Sequence, residues 1–307
     1  MMLAFGNPVY DSIRTPWVWT RDRVLSGCAT NAGLAYVKMG GDACVVGRVG
    51  IDRLDHYHRT LKSAGIGHHT ETCRESGGFK LDYDHQGRRE LEVLGQADAI
   101  TQIPDSVARA GVVFIGPVLQ ETPLDLIRAI RARTNATMVL DPQGLLRRVG
   151  AGGRIEHFKP GGIEELCALF DVVKPNELET EILTGVDPRK DLDRAAAVLE
   201  DWGIPTVVIT LAELGALIVS EGQRYRFDAL PTLAVDSTGA GDTFAGGLMF
   251  ALSQGLNWRA AGCLATAVAS MMIEQCGPEF ELTSREAQRR AARVTVSERR
   301  PAATAAT

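Results

Sequence analysis

Short runs of consecutive apolar residues recur along the chain, and most are followed by a stretch whose apolar positions repeat every three to four residues. "ACVVGRVG" precedes "DRLDHYHRTLKSAG", "GVVFIGPV" precedes "TPLDLIRAIRAR", and "FDVVKPNE" precedes "ELETEILTG". "ATMVLDPQG" stands between the second and third pairs, and "DLDRAAAVLEDWG" leads into "PTVVITL". A strand buried on both faces reads as an unbroken apolar run, whereas a helix packed against it shows a period near 3.6. The order therefore predicts an α/β fold, with a central, mostly parallel sheet flanked by helices. Right-handed crossovers then gather the functional loops at the C-terminal ends of the strands.

Two regions depart from this rhythm. Residues 12–25 ("SIRTPWVWTRDRVL") and 68–94 ("HHTETCRESGGFKLDYDHQGRRELEVL") are poor in helical periodicity and carry alternating strand patterns. Paired, they would form a small sheet projecting from the main body, as a lid or as a contact in a homodimer. A pair of edge hairpins is the plainer alternative. From Ser297 onward, "SERRPAATAAT" has no periodicity and is expected to form a disordered tail over 297–307. Residues 1–296 read as one domain without internal repeats.

The bulk numbers narrow the function. At 307 residues the chain is long enough to bury roughly 75% of its unfolded surface. A net charge of −5 argues against nucleic acid or an anionic membrane as the main partner. The six cysteines are scattered with no C-x-x-C pair, so buried thiols in a reducing cytoplasm are expected. No basic, apolar leader opens the chain, and no apolar run approaches the roughly 18 residues of a membrane span. A cytoplasmic protein is the expectation.

The chemistry concentrates in "LAVDSTGAGDTFAGGLMFALSQG", Leu233 to Gly255. It reads as a strand end, a turn and a helix closed by Gly255. Gly239 and Gly241 let backbone N–H groups converge, and the helix start adds about half a positive charge. That is a hole for an anion, yet Asp242 stands inside it. An aspartate in a first helical turn gains only about 0.3–1 kcal/mol from the helix dipole. A phosphate at 4 Å would repel it by about 4 kcal/mol at an effective dielectric near 20. A substrate hydroxyl between the two resolves the conflict. Asp242 takes its proton while the amides of Gly239, Ala240 and Gly241 stabilise the transferring phosphoryl group. The stretch is neither a P-loop, since no G-x-x-x-x-G-K-[ST] occurs, nor a dinucleotide fingerprint.

"DSTGAGDTFAGG" closely resembles the C-terminal signature of the ribokinase-like (PfkB-type) carbohydrate kinases, and the resemblance runs from about Leu3 to Gly277. It implies a three-layer fold with a small β lid. It also implies ATP-dependent phosphorylation of a hydroxyl on a small sugar or polyol, inositols included. Asp242 falls on the family's catalytic base, and Gly239, Ala240 and Gly241 on its anion hole.

Further matches support the resemblance. "KPNELETEILTG" carries the family's N-x-x-E in Asn176 and Glu179, associated with Mg²⁺ through its waters; an Asn helix cap explains the same letters locally. "VVITLAELGALIV" matches the nucleotide edge through Thr210 and Gly215, although Ala212 stands where the pattern has its first glycine. "LATAVASMMIEQCG" resembles the helix over adenine, with Thr266 where relatives often carry asparagine; a core helix is the alternative. On the substrate side, Asp11 lies where the family binds a substrate hydroxyl, or else simply forms a turn. Gly27 and Asn31 keep the spacing of the substrate loop, with Ser26 replacing its first glycine; Asn31 could equally cap the following helix. In "VLDPQGLLRR", Arg147 is a candidate contact to substrate or ATP phosphate, or a solvated helix arginine. Some relatives use a monovalent cation, for which Asp236 is the nearby candidate. A nucleoside kinase is the rival within the class, with Trp17, Trp19, Phe79 or Tyr83 as a stacking surface. A binding or regulatory protein that has lost turnover is the rival outside it.

Overall fold

The computed structural model describes residues 1–84, 89–276 and 280–299. Its strands, in chain order, are β1 (Met2–Phe5), β2 (Val9–Arg14), β3 (Val24–Ser26), β4 (Ala43–Gly50), β5 (Gly67–Cys73), β6 (Gly78–Tyr83), β7 (Arg89–Gly95) and β8 (Val112–Ile115). Then follow β9 (Thr137–Leu140), β10 (Arg147–Val149), β11 (Ile155–His157), β12 (Val172–Val173), β13 (Thr206–Thr210), β14 (Ala216–Ser220), β15 (Gln223–Phe227) and β16 (Val296–Arg299). The helices are α1 (Cys28–Lys38), α2 (Leu54–Ala64), α3 (Leu124–Arg131), α4 (Ile163–Cys167), α5 (Glu177–Thr184), α6 (Leu192–Asp201), α7 (Ala240–Ser253), α8 (Trp258–Met272) and α9 (Ser284–Ala291).

A ten-stranded sheet forms the middle layer, in the order β16-β15-β14-β13-β12-β9-β8-β1-β4-β5. The pairs from β5 to β13 are parallel, and those from β13 to β16 are antiparallel. Strands such as β1 and β8 are buried at every position, because helices cover both faces. One apolar core lies under α1, α2, α7, α8 and α9, and the other under α3, α4, α5 and α6. The parallel strands point their C-terminal ends to one edge, where Asp141, Lys174 and the start of α7 meet. None of the helices described here is long and apolar enough to cross a membrane.

The two irregular regions do meet in a second sheet, β3-β2-β6-β7, which the sequence reading placed broadly and the structure corrects in detail. Residues 67–73 are not part of it: β5 pairs in parallel with β4 at the rim of the main sheet. An edge strand has one solvated side, so "GHHTETC" alternates as a projecting strand would. The small sheet instead begins at Val9 and continues through 78–83 and 89–95.

The expected tail needs a second correction. Val296–Arg299 adds to the free edge of β15, and Glu298 pairs with Arg259 at 2.7 Å. Backbone pairing to an existing edge needs no apolar periodicity, which is why "VSER" gave no signal. Residues 300–307 lie outside the described residues.

Candidate active site

The first turn of α7 sets the geometry. Gly239 caps the helix in the left-handed region, at φ 82°, and no side chain caps it. A Cβ there would lie 2.8 Å from Asn31 Nδ2. Only glycine therefore lets the Asn31 amide reach Asp242, to which it donates at 2.9 Å on Oδ2. Asn31 comes from within α1, whose own cap is Gly27 at φ 116°. The capping alternative for Asn31 thus falls away. A Cβ on Gly27 would press to 2.8 Å from the Asn7 carbonyl. The second oxygen of Asp242 accepts from Gln143 Nε2 at 3.3 Å.

The amides do not all face outward, as the motif suggested. Ala240 N–H donates to the Ser237 carbonyl at 3.2 Å, closing a turn, so it is spoken for. The N–H groups of Gly239 and Gly241 have no hydrogen-bond partner among the described residues. Gly241 is informative for another reason. Its φ is not in the left-handed region, and a Cβ would meet only Lys174 Nζ, at 3.5 Å, an ordinary contact. Neither backbone nor packing requires glycine there.

Beneath this turn lies a buried charge network. Lys174 Nζ pairs with Asp141 Oδ2 at 2.8 Å, both almost fully shielded from solvent. Burial pulls the ammonium's pKa down, but the Asp141 and Glu179 carboxylates outweigh it and hold it raised. Asp242 is half-buried, and its pKa is pushed above the ordinary carboxylate value by desolvation first and by Asp141 second. Asn31, the Cys28 thiol and Lys174 pull it back. Cys28 Sγ and one oxygen each of Asp141 and Asp242 lie within 4.8 Å of one another. Asp141 takes Lys174 on one oxygen and Gln143 N–H on the other, while Asp242 holds two amides. The cluster is a satisfied polar network rather than an open cage for a metal.

Asn176 and Glu179 form a reciprocal capping box at α5. Asn176 N and Nδ2 donate to the two Glu179 oxygens at 2.8 and 2.7 Å, and Glu179 N donates back to Asn176 Oδ1 at 2.9 Å. Burial and Asp141 push the Glu179 carboxyl up to about 7. Each carboxylate oxygen spends one lone pair on the cap and keeps another, in an all-oxygen set of the kind Mg²⁺ prefers to address through water. The pair thus fits a hydrated magnesium and not direct ligation. Thr210, bridged in parallel to Asn176, stands beside it at the end of β13.

Comparison with known proteins decides what this edge belongs to. The pattern of the pfkB family carbohydrate kinases matches residues 20–285. The chain belongs to this family. Over 278 residues it is 35% identical to the ribokinase of Haemophilus influenzae, covering 85% of this chain and 84% of that protein. Over 238 residues it is 30% identical to the cytidine kinase of Thermococcus kodakarensis, covering 75% and 79%. Its fold superposes, with a TM-score of 0.79 at 19% identity, on a pyrophosphate-dependent kinase of the ribokinase family complexed with a pyrophosphate analogue and myo-inositol. That match covers 93% of this chain and 98% of the other. The architecture is ribokinase-like, and a further similar fold, with a TM-score of 0.73 at 19% identity over 94% of this chain and 98% of the other, is that of Arabidopsis thaliana ribokinase complexed with ribose and ATP.

The remaining candidates in this pfkB kinase separate into those near the turn and those whose reason is structural. Asp11, buried in β2, accepts the Phe79 N–H at 2.8 Å and so ties β2 to β6 of the small sheet. A cleft beside it is lined by Asn7, Val9, Phe79, Ala97, Leu119 and Glu121. Arg147 is not a solvated helix arginine: it opens β10 at 5% exposure. Its Nη2 donates to Gln143 Oε1 at 2.7 Å, bracing the amide that reaches Asp242. Gly215 is needed because a Cβ would sit 1.9 Å from the Phe227 carbonyl, a contact within the chain itself. Ala212 adopts φ 47°, in the left-handed region that favours glycine.

Thr266 is buried in α8, and its hydroxyl has no partner among the described residues. Asp236 is buried too; one oxygen accepts Thr238 N–H at 2.9 Å, and the Cys276 thiol lies against the carboxylate. Of the four aromatics, Trp17 and Trp19 are 76% and 75% exposed. Tyr83 OH shares a hydrogen bond with Thr238 Oγ1, and Phe79 lines the cleft. Gln143, Lys174 and Cys28 were not singled out from the sequence. Only Gln143 had a signal, as a letter of the "VLDPQGLLRR" stretch that carries Arg147.

Proposed function

We propose that this chain transfers the γ-phosphoryl group of ATP to a hydroxyl of a small sugar or polyol. One observation carries the reading. A partly open carboxylate and two unpartnered backbone N–H groups share a single turn, at a glycine that the protein's own packing does not require. A ligand oxygen approaching Gly241 N–H supplies the missing reason for glycine.

The chemistry follows from the placement. The acceptor hydroxyl donates to a free lone pair of Asp242, whose oxygens already hold Asn31 and Gln143. As the hydroxyl oxygen bonds to the γ-phosphorus, the bond from that phosphorus to the bridging oxygen breaks and ADP leaves. The proton passes to Asp242, whose raised pKa brings it nearer to the task than an ordinary carboxylate. Gly239 and Gly241 N–H groups, at the positive end of α7, face the charge of the transferring group. Magnesium bound with the nucleotide would spread the triphosphate charge, with Asn176 and Glu179 toward its water shell.

Nucleosides are the second acceptor class, favoured by Phe79 in the cleft wall and by the cytidine kinase relative. Pentoses, hexoses, inositols and nucleosides, each offered with ATP and separately with pyrophosphate, test the proposal by product formation. Phosphorylation of a sugar or polyol from ATP is the expected result. Turnover only with nucleosides moves the reading to its rival. Turnover only with pyrophosphate refutes the donor. Binding without turnover for every pair leaves a ligand-binding protein on this fold.

A further inference from the structure

Two adjacent residues outside the motifs are bonded in a way that the fold alone does not ask for. Gln120 is one of three non-glycine residues with positive φ among those described, at 61°. The two protons of its side-chain amide are shared among three carbonyls, Gly144 O at 3.1 Å, Leu145 O at 2.7 Å and Arg147 O at 3.0 Å. Its backbone N–H also donates to Gly144 O at 3.1 Å. These carbonyls belong to the short 3₁₀ turn Gln143–Leu146 and the residue after it. Such turns leave their last carbonyls without partners inside the helix. Gln120 supplies the missing donors from another part of the chain, at the cost of a left-handed backbone.

Its neighbour Glu121 is 3% exposed. The carboxylate accepts Val118 N–H at 2.8 Å, Leu119 N–H at 2.7 Å and Asn7 N–H at 3.0 Å. That fixes the loop carrying Gln120 and, at the same time, the wall of the cleft formed by Asn7, Leu119 and Glu121 itself. The turn and the loop are pressed backbone to backbone: a Cβ on Gly144 would lie 2.4 Å from the Pro117 carbonyl carbon. Out of this turn project Gln143, which donates to Asp242, and Arg147, which donates to Gln143.

We infer that Gln120 and Glu121 act as a positioning pair. They clamp the 143–147 turn so that Gln143 stays on Asp242 Oδ1, Gln120 through its amide and Glu121 by fixing the loop that carries Gln120. Gln120 touches neither substrate nor base, and it acts through Gln143. The inference rests on Asp242 being the base.

Gln120→Gly removes the amide without straining the backbone, because glycine adopts φ near +60° freely. Gln120→Asn is the companion variant, since asparagine tolerates the same backbone but its amide is one methylene short. The thermal midpoint, kcat, and KM for ATP are measured for both, for Gln143→Ala, and for Gln120→Gly combined with Gln143→Ala. Both Gln120 variants should lower kcat about 10- to 100-fold, the scale of one hydrogen bond to a charged group. KM for ATP should stay level, and the midpoint should fall only modestly for Gln120→Gly, since relief of the left-handed backbone offsets part of the lost hydrogen bonding. The combined variant should be no slower than Gln143→Ala, because one pathway is removed twice. Unchanged kcat in either Gln120 variant, or losses that multiply in the combined variant, overturns the inference. Asp242→Asn run alongside separates the two claims: full activity there overturns the base itself, whereas an inactive Asp242→Asn beside a normal Gln120→Gly overturns only the clamp.

Discussion

Gly241→Ala adds one methyl group at the second residue of α7, and two effects of opposite sign can be worked out for it. In the protein alone the methyl is accommodated: it meets Lys174 Nζ at 3.5 Å and nothing nearer, and the backbone is not left-handed. Alanine in a helix is favoured over glycine by about 0.5–1 kcal/mol. With an unfolding entropy near 2.1 cal/mol/K per residue, that raises the melting midpoint by about 1 °C in a chain of this length. In the reacting complex the methyl stands beside an N–H that faces the transferring group. Alanine keeps the N–H, so the methyl acts by crowding the approach to it, with an upper bound of about 10²–10³ in kcat, the cost of losing one such donor. The assay pairs thermal unfolding with steady-state transfer on one preparation. A more stable and far slower variant is the expected result. Turnover within about threefold of the parent would remove the ligand-based reason for glycine at this position. A midpoint several degrees lower would refute the packing argument instead.

Other consequences follow from the same site. Asp242 must be deprotonated to act, and burial and Asp141 raise its pKa, so kcat/KM should fall on the acid side at a pH above that of an ordinary carboxylate. Asp141→Asn should move this limb to lower pH in a pH–rate profile; a limb that stays put removes the coupling. Glu179, pushed up to about 7 from a usual 4.5, binds a proton more tightly folded than unfolded. Its contribution to stability is complete below about pH 4.5 and is lost as pH rises through about 7. Midpoints measured between pH 5 and 8 should decline, and less so in Glu179→Ala; equal slopes would contradict it. Asp11→Ala should raise KM for the acceptor about tenfold or more with KM for ATP unchanged, as for a lost hydrogen bond to a charged group. The opposite split would reverse the orientation of the site.

Much of this was legible in the letters. The alternation of apolar runs with helical patterns gave the parallel sheet, because strands buried on both faces cannot hide their composition. "GAGD" and the Gly27 to Asn31 spacing pointed to two stretches that the structure brings together, Asn31 donating to Asp242, since Gly239 and Gly27 each mark a left-handed backbone that local sequence must encode. What stayed hidden depends on pairs distant along the chain. Lys174 meets Asp141, and Gln143 meets Asp242, across separations that no window of residues spans. Ala240 looked like an anion donor until its N–H closed onto Ser237. Gln120 looked like any polar loop residue. The strands β5 and β16 were misplaced for a related reason: at a sheet's rim, backbone pairing holds a strand that its side chains do not announce.

Asp242→Asn, followed by phosphoryl transfer and nucleotide affinity in the same preparation, bears most directly on the site. The substitution keeps the shape and removes the proton acceptor. Transfer should drop by about 10²–10⁴, the range for a general base, while ATP binds nearly as before. An asparagine variant that transfers phosphate at the parent's rate would leave residue 242 with no part in the chemistry.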